Sequence, residues 1–180
     1  MSLSARFGVA LPRRAPVMEA LHRSRPRNDF SIAILRIAVG CLFMIFGEYK
    51  VFGTQFTLHG GFEHWINSFL DSGSAYPVFV PILQKVVLPH ARLIAFVVAY
   101  GELAIGVALV AGILVRPASV CGLLFMTTLI LSSNFPGHHA QLWQYFGASL
   151  DHSVLGLCFV AFLLGRSDAC LTLRSTSSKP

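Results

Sequence analysis

Four long apolar stretches dominate the pattern of hydrophobic and polar positions along this chain. They lie at about residues 30–52, 92–114, 117–135 and 143–164. Each approaches the roughly 20 residues that an α-helix needs to cross a bilayer, although the strongly apolar part of the fourth is only Val154–Leu164. The pattern therefore predicts an all-α protein, built as a bundle of four transmembrane helices.

The long segment between the first two predicted spans, residues 53–91, has a different pattern. An apolar stripe at helical spacing predicts a short helix that lies at the membrane interface, where Trp and Phe are well placed. The stripe consists of Phe62, Trp65, Ile66 and Phe69. Pro77, Pro81 and Pro89 then predict turns or short helical pieces. Because lipid cannot satisfy free backbone polar groups, we expect this extracytoplasmic segment to cap the outer mouth of the bundle.

Composition indicates that the predicted bundle lies in a membrane, and the distribution of charge indicates its orientation there. The 180 residues are 54% hydrophobic and only 12% charged, whereas soluble domains carry about 25% charged residues. Most Lys and Arg residues lie in the tails, residues 1–29 and 167–180, and at Arg116, while the opposite loops hold only Lys85 and Arg92. Since Lys and Arg concentrate on the cytoplasmic side, we expect residues 30–166 to form a multi-pass domain of the inner membrane, with both termini cytoplasmic.

The Arg-rich N-terminal tail lacks the apolar core of a secretory signal. It is either a disordered cytoplasmic tail that lies along the lipid surface or a transit peptide. The formal net charge of +6 mostly reflects membrane topology, because the arginines flank the predicted spans. Since they form no folded basic domain, we expect no nucleic-acid partner. The four cysteines form no CxxC pair, so we also expect no metal site.

Ionisable residues inside the apolar runs are the candidate functional residues, because charges in hydrocarbon are costly and usually face a bundle interior. Arg36 and Lys50 share one helical face of the first span. Glu102 lies in the second span, roughly 15 Å from its outer surface at the α-helical rise. Asp151 and His152 reach a similar depth if the fourth helix begins near residue 141. Residues that could line the mouth of this cluster are Tyr49, Tyr100, His138 and His139.

Several of these residues have simpler interpretations. Lys50 could extend to the outer headgroups, and Glu48 fits an interfacial position. Asp151 could cap a shorter fourth helix, and the pair His138 and His139 fits a solvated loop. Glu102 is the hardest to explain in this way, because it needs a partner such as Arg36 or Lys50, or a protonated state.

A membrane-embedded carboxyl group beside a cation and a histidine can bind and release protons. Reduction of a quinone takes two electrons and two protons, so such a pocket suits a quinone head group. We assign proton transfer to Glu102, His152 and Asp151, and quinone binding to Arg36, Lys50 and Tyr100. The sequence contains no haem, flavin or iron–sulfur motif, so electrons must come through a diffusible quinone or a partner subunit.

Two motifs carry a family resemblance. Leu35-Arg36…Gly40…Phe43…Gly47-x-x-Lys50-x-Phe52 resembles the first span of DoxX-like membrane proteins. Gly101-Glu102-Leu103-x-x-Gly106-x-x-Leu109-x-x-Gly112-x-Leu114-x-Arg116 resembles their second span and hairpin. The long loop is similar to the DoxD branch, a membrane subunit of thiosulfate:quinone oxidoreductases.

The resemblance implies a four-helix membrane bundle, and electron transfer from a sulfur compound to quinone with a second redox subunit, or a role in redox stress. It matches Arg36, Lys50 and Glu102, but not Asp151 and His152. Two other functions stay open at this point. One is a non-catalytic membrane scaffold or assembly factor, and the other is a carrier of protons or small molecules. The oligomeric state is open as well.

Overall fold

Helices form all of the regular structure in the residues that this computed structural model describes, which are 15–147, 150–165, 167–168 and 170–173. The all-α prediction is therefore confirmed over these residues. Parts of the two predicted tails, residues 1–14 and 174–180, lie outside them. The helices are α1 Ala15–Phe52, α2 Gly61–Asp71, α3 Val80–Ile82, α4 Ala91–Ala111, α5 Val115–Ser133, α6 Gln144–Gly147 and α7 Leu150–Leu164.

In the part of the chain that the structure describes, three helices are long and apolar enough to cross a membrane, by their length and composition. They are Asp29–Phe52 within α1, Val80–Ala111, and Val115–Ser133. The predicted fourth span corresponds to α7, a shorter apolar helix, and residues 148–149 before it lie outside the described part of the chain. The structure thus supports a helical membrane protein.

The stretch before α4 is helical over a longer range than the prolines suggested. Pro81 lies in the first turn of α3, where an amide N–H would have no helical partner. Leu83–Val87 then form a π-helical turn and Leu88–His90 a 3₁₀ turn. These two turns change the hydrogen-bond spacing around Pro89, which has no N–H to donate. The predicted short helical pieces consequently stack end to end into α4.

Close contact between α1 and α4 is the most extensive helix pairing in the bundle. It depends on glycines, because a Cβ added to Gly47 would lie 2.7 Å from the backbone nitrogen of Leu103, and one added to Gly106 would meet Met44. Small residues allow such close approach between membrane helices. On the other side, α5 packs along α7, whereas α1 and α7 touch over a shorter stretch.

Among the described residues, two apolar clusters stabilise the molecule. The first lies between the long helices and includes the fully buried residues Leu109, Phe159 and Phe162. The second joins α2 to the start of the Val80–Ala111 helix through Phe62, Ile66 and Leu83. The predicted stripe of α2 therefore packs toward the bundle, with Phe62 and Ile66 buried and Trp65 exposed.

The loop after α2 is fixed to the end of α5. The Tyr76 N–H donates to the Leu131 carbonyl at 2.9 Å, and the Phe135 N–H donates to the Ser74 carbonyl at 2.7 Å. Burial raises the pKa of the Tyr76 phenol, and nearby Tyr145 raises it further. This phenol therefore stays uncharged and packs against Phe135. Together with α2, the loop covers the end of the bundle at which α1 ends.

Candidate functional site

The side chains of Lys50 and Glu102 form an ion pair between α1 and α4. The Lys50 ammonium donates to both carboxylate oxygens of Glu102 at 2.6 Å. The Glu102 side chain is only 6% exposed, and that of Lys50 is 21% exposed. Gly47 lies one turn before Lys50 and lets α1 approach the backbone of α4 at Leu103. Because Gly47 has no side chain, the two helices approach closely and the two charged groups can meet.

Aromatic rings surround the ammonium end of this pair. The Nζ atom of Lys50 lies 5.1 Å from the ring centroid of Phe56 and 5.8 Å from that of Phe125. Both distances are in the range of cation–π attraction. A cation held in this way has little freedom to extend toward lipid headgroups. The structure therefore does not support the simpler interpretation of Lys50 as an interfacial side chain.

Two cavities meet at the ion pair. The apolar cavity, of about 570 Å³, is bounded by α2, by the Val80–Ala111 helix and by parts of α1 and α5. The polar cavity, of about 580 Å³, is lined by Lys50, Glu102, Asp151 and His152 together with apolar residues of α1, α5 and α7. The residues that line both cavities are Phe46, Lys50, Leu129 and His152. The predicted cluster of Lys50, Glu102, Asp151 and His152 is thus assembled around one space.

His152 is the residue of α7 that faces both cavities. Its Nδ1 atom is buried and has no hydrogen-bond partner among the described residues. The nearest carboxylate oxygen, Oδ1 of Asp151, is 3.7 Å away, which is too far for a hydrogen bond. A buried nitrogen without a partner is costly, so the hydrogen-bonding capacity of this imidazole is unsatisfied in the described part of the chain.

Asp151 has a weaker place in the site than His152. It lies in the first turn of α7 and its side chain is 68% exposed. A carboxylate in that position interacts favourably with the helix dipole. Its contact with the polar cavity fits a role in proton transfer, and its position in the first turn fits a residue that caps the helix. Both interpretations of Asp151 therefore stay open.

The predicted mouth residues are only partly assembled. Tyr49 lines the apolar cavity. Tyr100 is 54% exposed, stacks on Phe96 with ring centroids 6.1 Å apart, and lines neither cavity. His138 contacts the ring of Phe135, and His139 is exposed. The structure therefore does not bring Tyr100 to the other predicted quinone-binding residues.

Arg36 also lies away from the ion pair. It is 14 residues before Lys50 on α1, which is about 21 Å along the helix axis. Its side chain is fully buried, and its Nη2 atom donates to the Leu171 carbonyl at 2.6 Å. The Nε and Nη1 atoms have no hydrogen-bond partner in the described part of the chain. Arg36 and Lys50 were both predicted as possible partners of Glu102, and in the structure Glu102 pairs with Lys50.

The sequence analysis missed Phe56 and Phe125, the aromatic neighbours of Lys50. A general abundance of phenylalanine, 15 residues in this chain, gives no signal for any one of them. Phe56 follows the end of α1 by only four residues, so its return toward Lys50 depends on the loop conformation. Tertiary structure was needed to find both residues.

The sequence profile of the DoxX family matches residues 31–134, more than half of the chain. The chain belongs to the DoxX family. The predicted resemblance is thereby confirmed, and the DoxX domain contains Arg36, Lys50 and Glu102 but ends before Asp151 and His152. No curated protein and no solved structure matches the chain. The candidate site of this DoxX protein therefore combines the ion pair of the matched domain with α7, which lies beyond it.

Proposed function

We propose that this DoxX protein is a quinone-linked redox subunit of the cell membrane, which binds a quinone head group beside the ion pair of Lys50 and Glu102. The observation that carries this proposal is the buried ion pair at the junction of two cavities. Ionisable residues buried within membrane helices commonly mark proton or substrate pathways. In this proposal α7 is the fourth span, both termini are cytoplasmic, and the α2 segment faces outward.

The residues present fit a quinone head group. Each cavity falls within the range of about 300–1,000 Å³ that is usual for small-molecule sites. A quinone carbonyl accepts hydrogen bonds, and a quinol hydroxyl donates them. Lys50 has three N–H donors, of which two bond to Glu102. His152 lines both cavities, and its imidazole offers a second polar contact, while the rings of Phe56 and Phe125 offer flat apolar surfaces.

A bound quinone supplies a redox centre that accepts two electrons and two protons. Glu102 holds or releases a proton at its carboxyl group, while Lys50 balances the charge of the ionised form. His152 accepts or donates a proton at Nδ1, and Asp151, exposed in the polar cavity, connects this group with water. The surrounding apolar side chains keep bulk water away from the head group. These roles assign the predicted proton transfer to particular atoms.

The electrons come from a second redox subunit in this proposal. The motifs of the chain include no haem, flavin or iron–sulfur site, and the DoxD-like loop favours a sulfur compound as the donor substrate. A role in redox stress uses the same site with a different partner. Either partner must transfer electrons to the quinone, because the side chains of the site exchange only protons.

The proposal is tested with the full chain reconstituted in lipid nanodiscs. Binding of a tail-less benzoquinone is measured by calorimetry for the wild type, Glu102→Gln and His152→Phe. We expect His152→Phe to weaken binding by about tenfold, since a buried polar group left without its partner costs about 1–3 kcal/mol. We expect Glu102→Gln to weaken binding as well, because it removes the charge that holds the Lys50 ammonium in place. Glu48→Gln is the matched control, because Glu48 is exposed two residues from Lys50 and lines neither cavity. Unchanged binding in Glu102→Gln would overturn the proposed site.

A second function, the membrane scaffold, is supported by Arg36. Its buried contact with Leu171 and the ion pair of Lys50 and Glu102 both join distant parts of the chain. If those contacts serve only to lock the helices, Glu102→Gln should lower the melting temperature and no quinone should bind to the wild-type protein. The two functions therefore differ in their prediction for the wild type.

A further inference from the structure

We infer that the ligand of this site carries an apolar tail, enters from the bilayer between α1 and α7, and places its tail in the apolar cavity beneath α2. This inference rests on the proposed function, and it adds the class of quinone and the route of entry. A tail-less, water-soluble quinone would use the polar cavity alone.

The two cavities are arranged for a molecule with a polar head and an apolar tail. They share Lys50 and His152, so a head group at these side chains lies where both spaces begin. Beyond that point the walls of the apolar cavity are almost entirely hydrocarbon and aromatic, from residues such as Phe62, Ile66 and Val98. Thr128 and Ser132 also line it, but their hydroxyls already donate to carbonyls of their own helix. The hydroxyls of these two residues therefore need no partner from an apolar chain.

The opening of this space lies on the side of the long helices. Ile45, Phe46 and Tyr49 line the apolar cavity and are each more than half exposed. Leu42 and Val154 line the polar cavity and are also exposed. Val154 lies on α7 and the other four residues on α1, and these two helices touch over only a short stretch. In a membrane-spanning bundle such a lateral gap faces acyl chains.

The outer end is covered by α2. Phe62 and Ile66 of this helix are buried against the Val80–Ala111 helix, and Trp65 and Phe69 complete the covering face. A ligand that entered the apolar cavity from this end would have to displace this packed helix. A ligand already dissolved in the bilayer meets no such barrier.

The charge of the site favours a neutral head group over a phospholipid. The positive charge of Lys50 is matched by Glu102 at 2.6 Å, and Asp151 adds a further carboxyl group to the polar cavity. A phosphate placed there would meet two carboxyl groups and one cation that is already paired. A quinone head group is uncharged and needs only hydrogen bonds.

The test maps the position of the tail directly. Lipid solvates an apolar tail about as well as a protein interior does, so affinity alone would not locate it. A quinone with a photoreactive diazirine on its tail is added to the full chain in nanodiscs and activated by light, and the adducts are identified by mass spectrometry. We expect adducts on α2 and on the cavity face of the Val80–Ala111 helix, and we expect excess tail-less quinone to prevent them.

Val98→Phe fills the apolar cavity and should reduce these adducts severalfold, while binding of the tail-less quinone stays at the wild-type value. Val97→Phe is the matched control, because Val97 is 64% exposed on the same helix and lines neither cavity. It should give the wild-type pattern. Val87→Phe fills the cavity from another position and replaces Val98→Phe if that variant does not fold.

The outcomes separate this inference from the proposed function. Adducts confined to outward residues such as Leu93 and Val97, unchanged in Val98→Phe, overturn the tail position while tail-less binding still supports the head-group site. A phospholipid that co-purifies in the cavity and resists displacement by quinone also overturns it. Failure of any quinone to bind, including the tail-less one, refutes the proposed function and this inference with it.

Discussion

At the residue scale, the most consequential feature is that two opposite charges share one low-dielectric position. Glu102 is almost completely buried and Lys50 largely so, and their pairing offsets much of the cost of desolvating each charge. Removing one partner leaves a buried unpaired charge. Replacing both residues with apolar ones leaves an apolar interior without any unpaired charge at this position. The pair therefore has a stability effect that can be separated from its ligand effect.

We expect Glu102→Leu and Lys50→Met each to lower the free energy of unfolding by about 3 kcal/mol, following other buried ion pairs. The double variant should lose clearly less than the sum of the two single variants. Thermal unfolding in a mild detergent, followed by circular dichroism, measures this coupling. Strict additivity of the two single effects would show that the charges do not depend on each other.

Arg36 leads to a different prediction, because its partners are carbonyl groups near the C-terminal end. Replacing it with Leu removes the hydrogen bond to Leu171 and should loosen the segment that Leu173 attaches to Ala111. Hydrogen–deuterium exchange should then become faster in residues 170–173. Arg116→Leu is the control, because Arg116 is exposed at the neighbouring hairpin. Equal protection in Arg36→Leu and in the wild type would contradict this role.

The charged residues of the site could be predicted from the sequence, but their pairing could not. Helical spacing determines which residues share a face of one helix, and it contains no information on the register between two helices. That register depends on the close contacts of Gly47 and Gly106. Glu102 therefore had two candidate partners until the position of α4 along α1 was known. The loop conformation that brings Phe56 to Lys50 is a tertiary effect of the same kind.

At the element scale, the contact between α1 and α4 controls the geometry of the ion pair. A methyl group on Gly47 would force the helices apart at Leu103. We expect Gly47→Ala to lower the free energy of unfolding by about 1–3 kcal/mol through overpacking. It should also weaken quinone binding, because Lys50 and Glu102 would move apart.

Gly101→Ala is the matched control for this prediction. A Cβ at Gly101 meets no atom within 4 Å, and Ala is favoured over Gly in a helix interior by about 1 kcal/mol. This variant should keep or slightly raise the melting temperature in the same detergent. If the two glycine variants behave alike, close helix contact at Gly47 is not what positions the pair.

The prolines show where prediction of elements from sequence reached its limit. Pro81 and Pro89 correctly indicated interruptions in regular α-helical hydrogen bonding. They did not indicate that π-helical and 3₁₀ turns would join the interrupted pieces into one apolar helix of 32 residues, Val80–Ala111. The helix stays continuous because Leu83 and Ala91 pack against α2. The local sequence pattern contains no information on this packing.

At the scale of the whole molecule, three distant parts of the chain meet at one end. Arg36 of α1, Gly112 of the hairpin after α4, and Thr172 near the C-terminal end are in contact. The segment with α2 covers the opposite end, beside the end of α1. Among the described residues, three helices reach the length of a membrane span and α7 is shorter, so the predicted number of crossings stays a prediction. The side of the membrane on which each end lies still depends on the Lys and Arg distribution alone.

This orientation is open to direct measurement. In a cysteine-free background, Arg116→Cys and Ser72→Cys place single thiols at the hairpin and after α2, where both residues are exposed. A membrane-impermeant maleimide should label residue 116 only from the cytoplasmic side and residue 72 only from the outer side. Labelling of both from the same side would show that the bundle does not cross the membrane between them.

The contact between Arg36 and the last described residues has a consequence for biosynthesis. Leu171, which accepts its hydrogen bond, is made 135 residues after Arg36. While the ribosome completes the chain, the first helix must hold a guanidinium group in the membrane without its eventual acceptor. A nascent chain that has not yet reached residue 171 lacks this acceptor for Arg36, so the contact between the first helix and the C-terminal segment can form only late in synthesis.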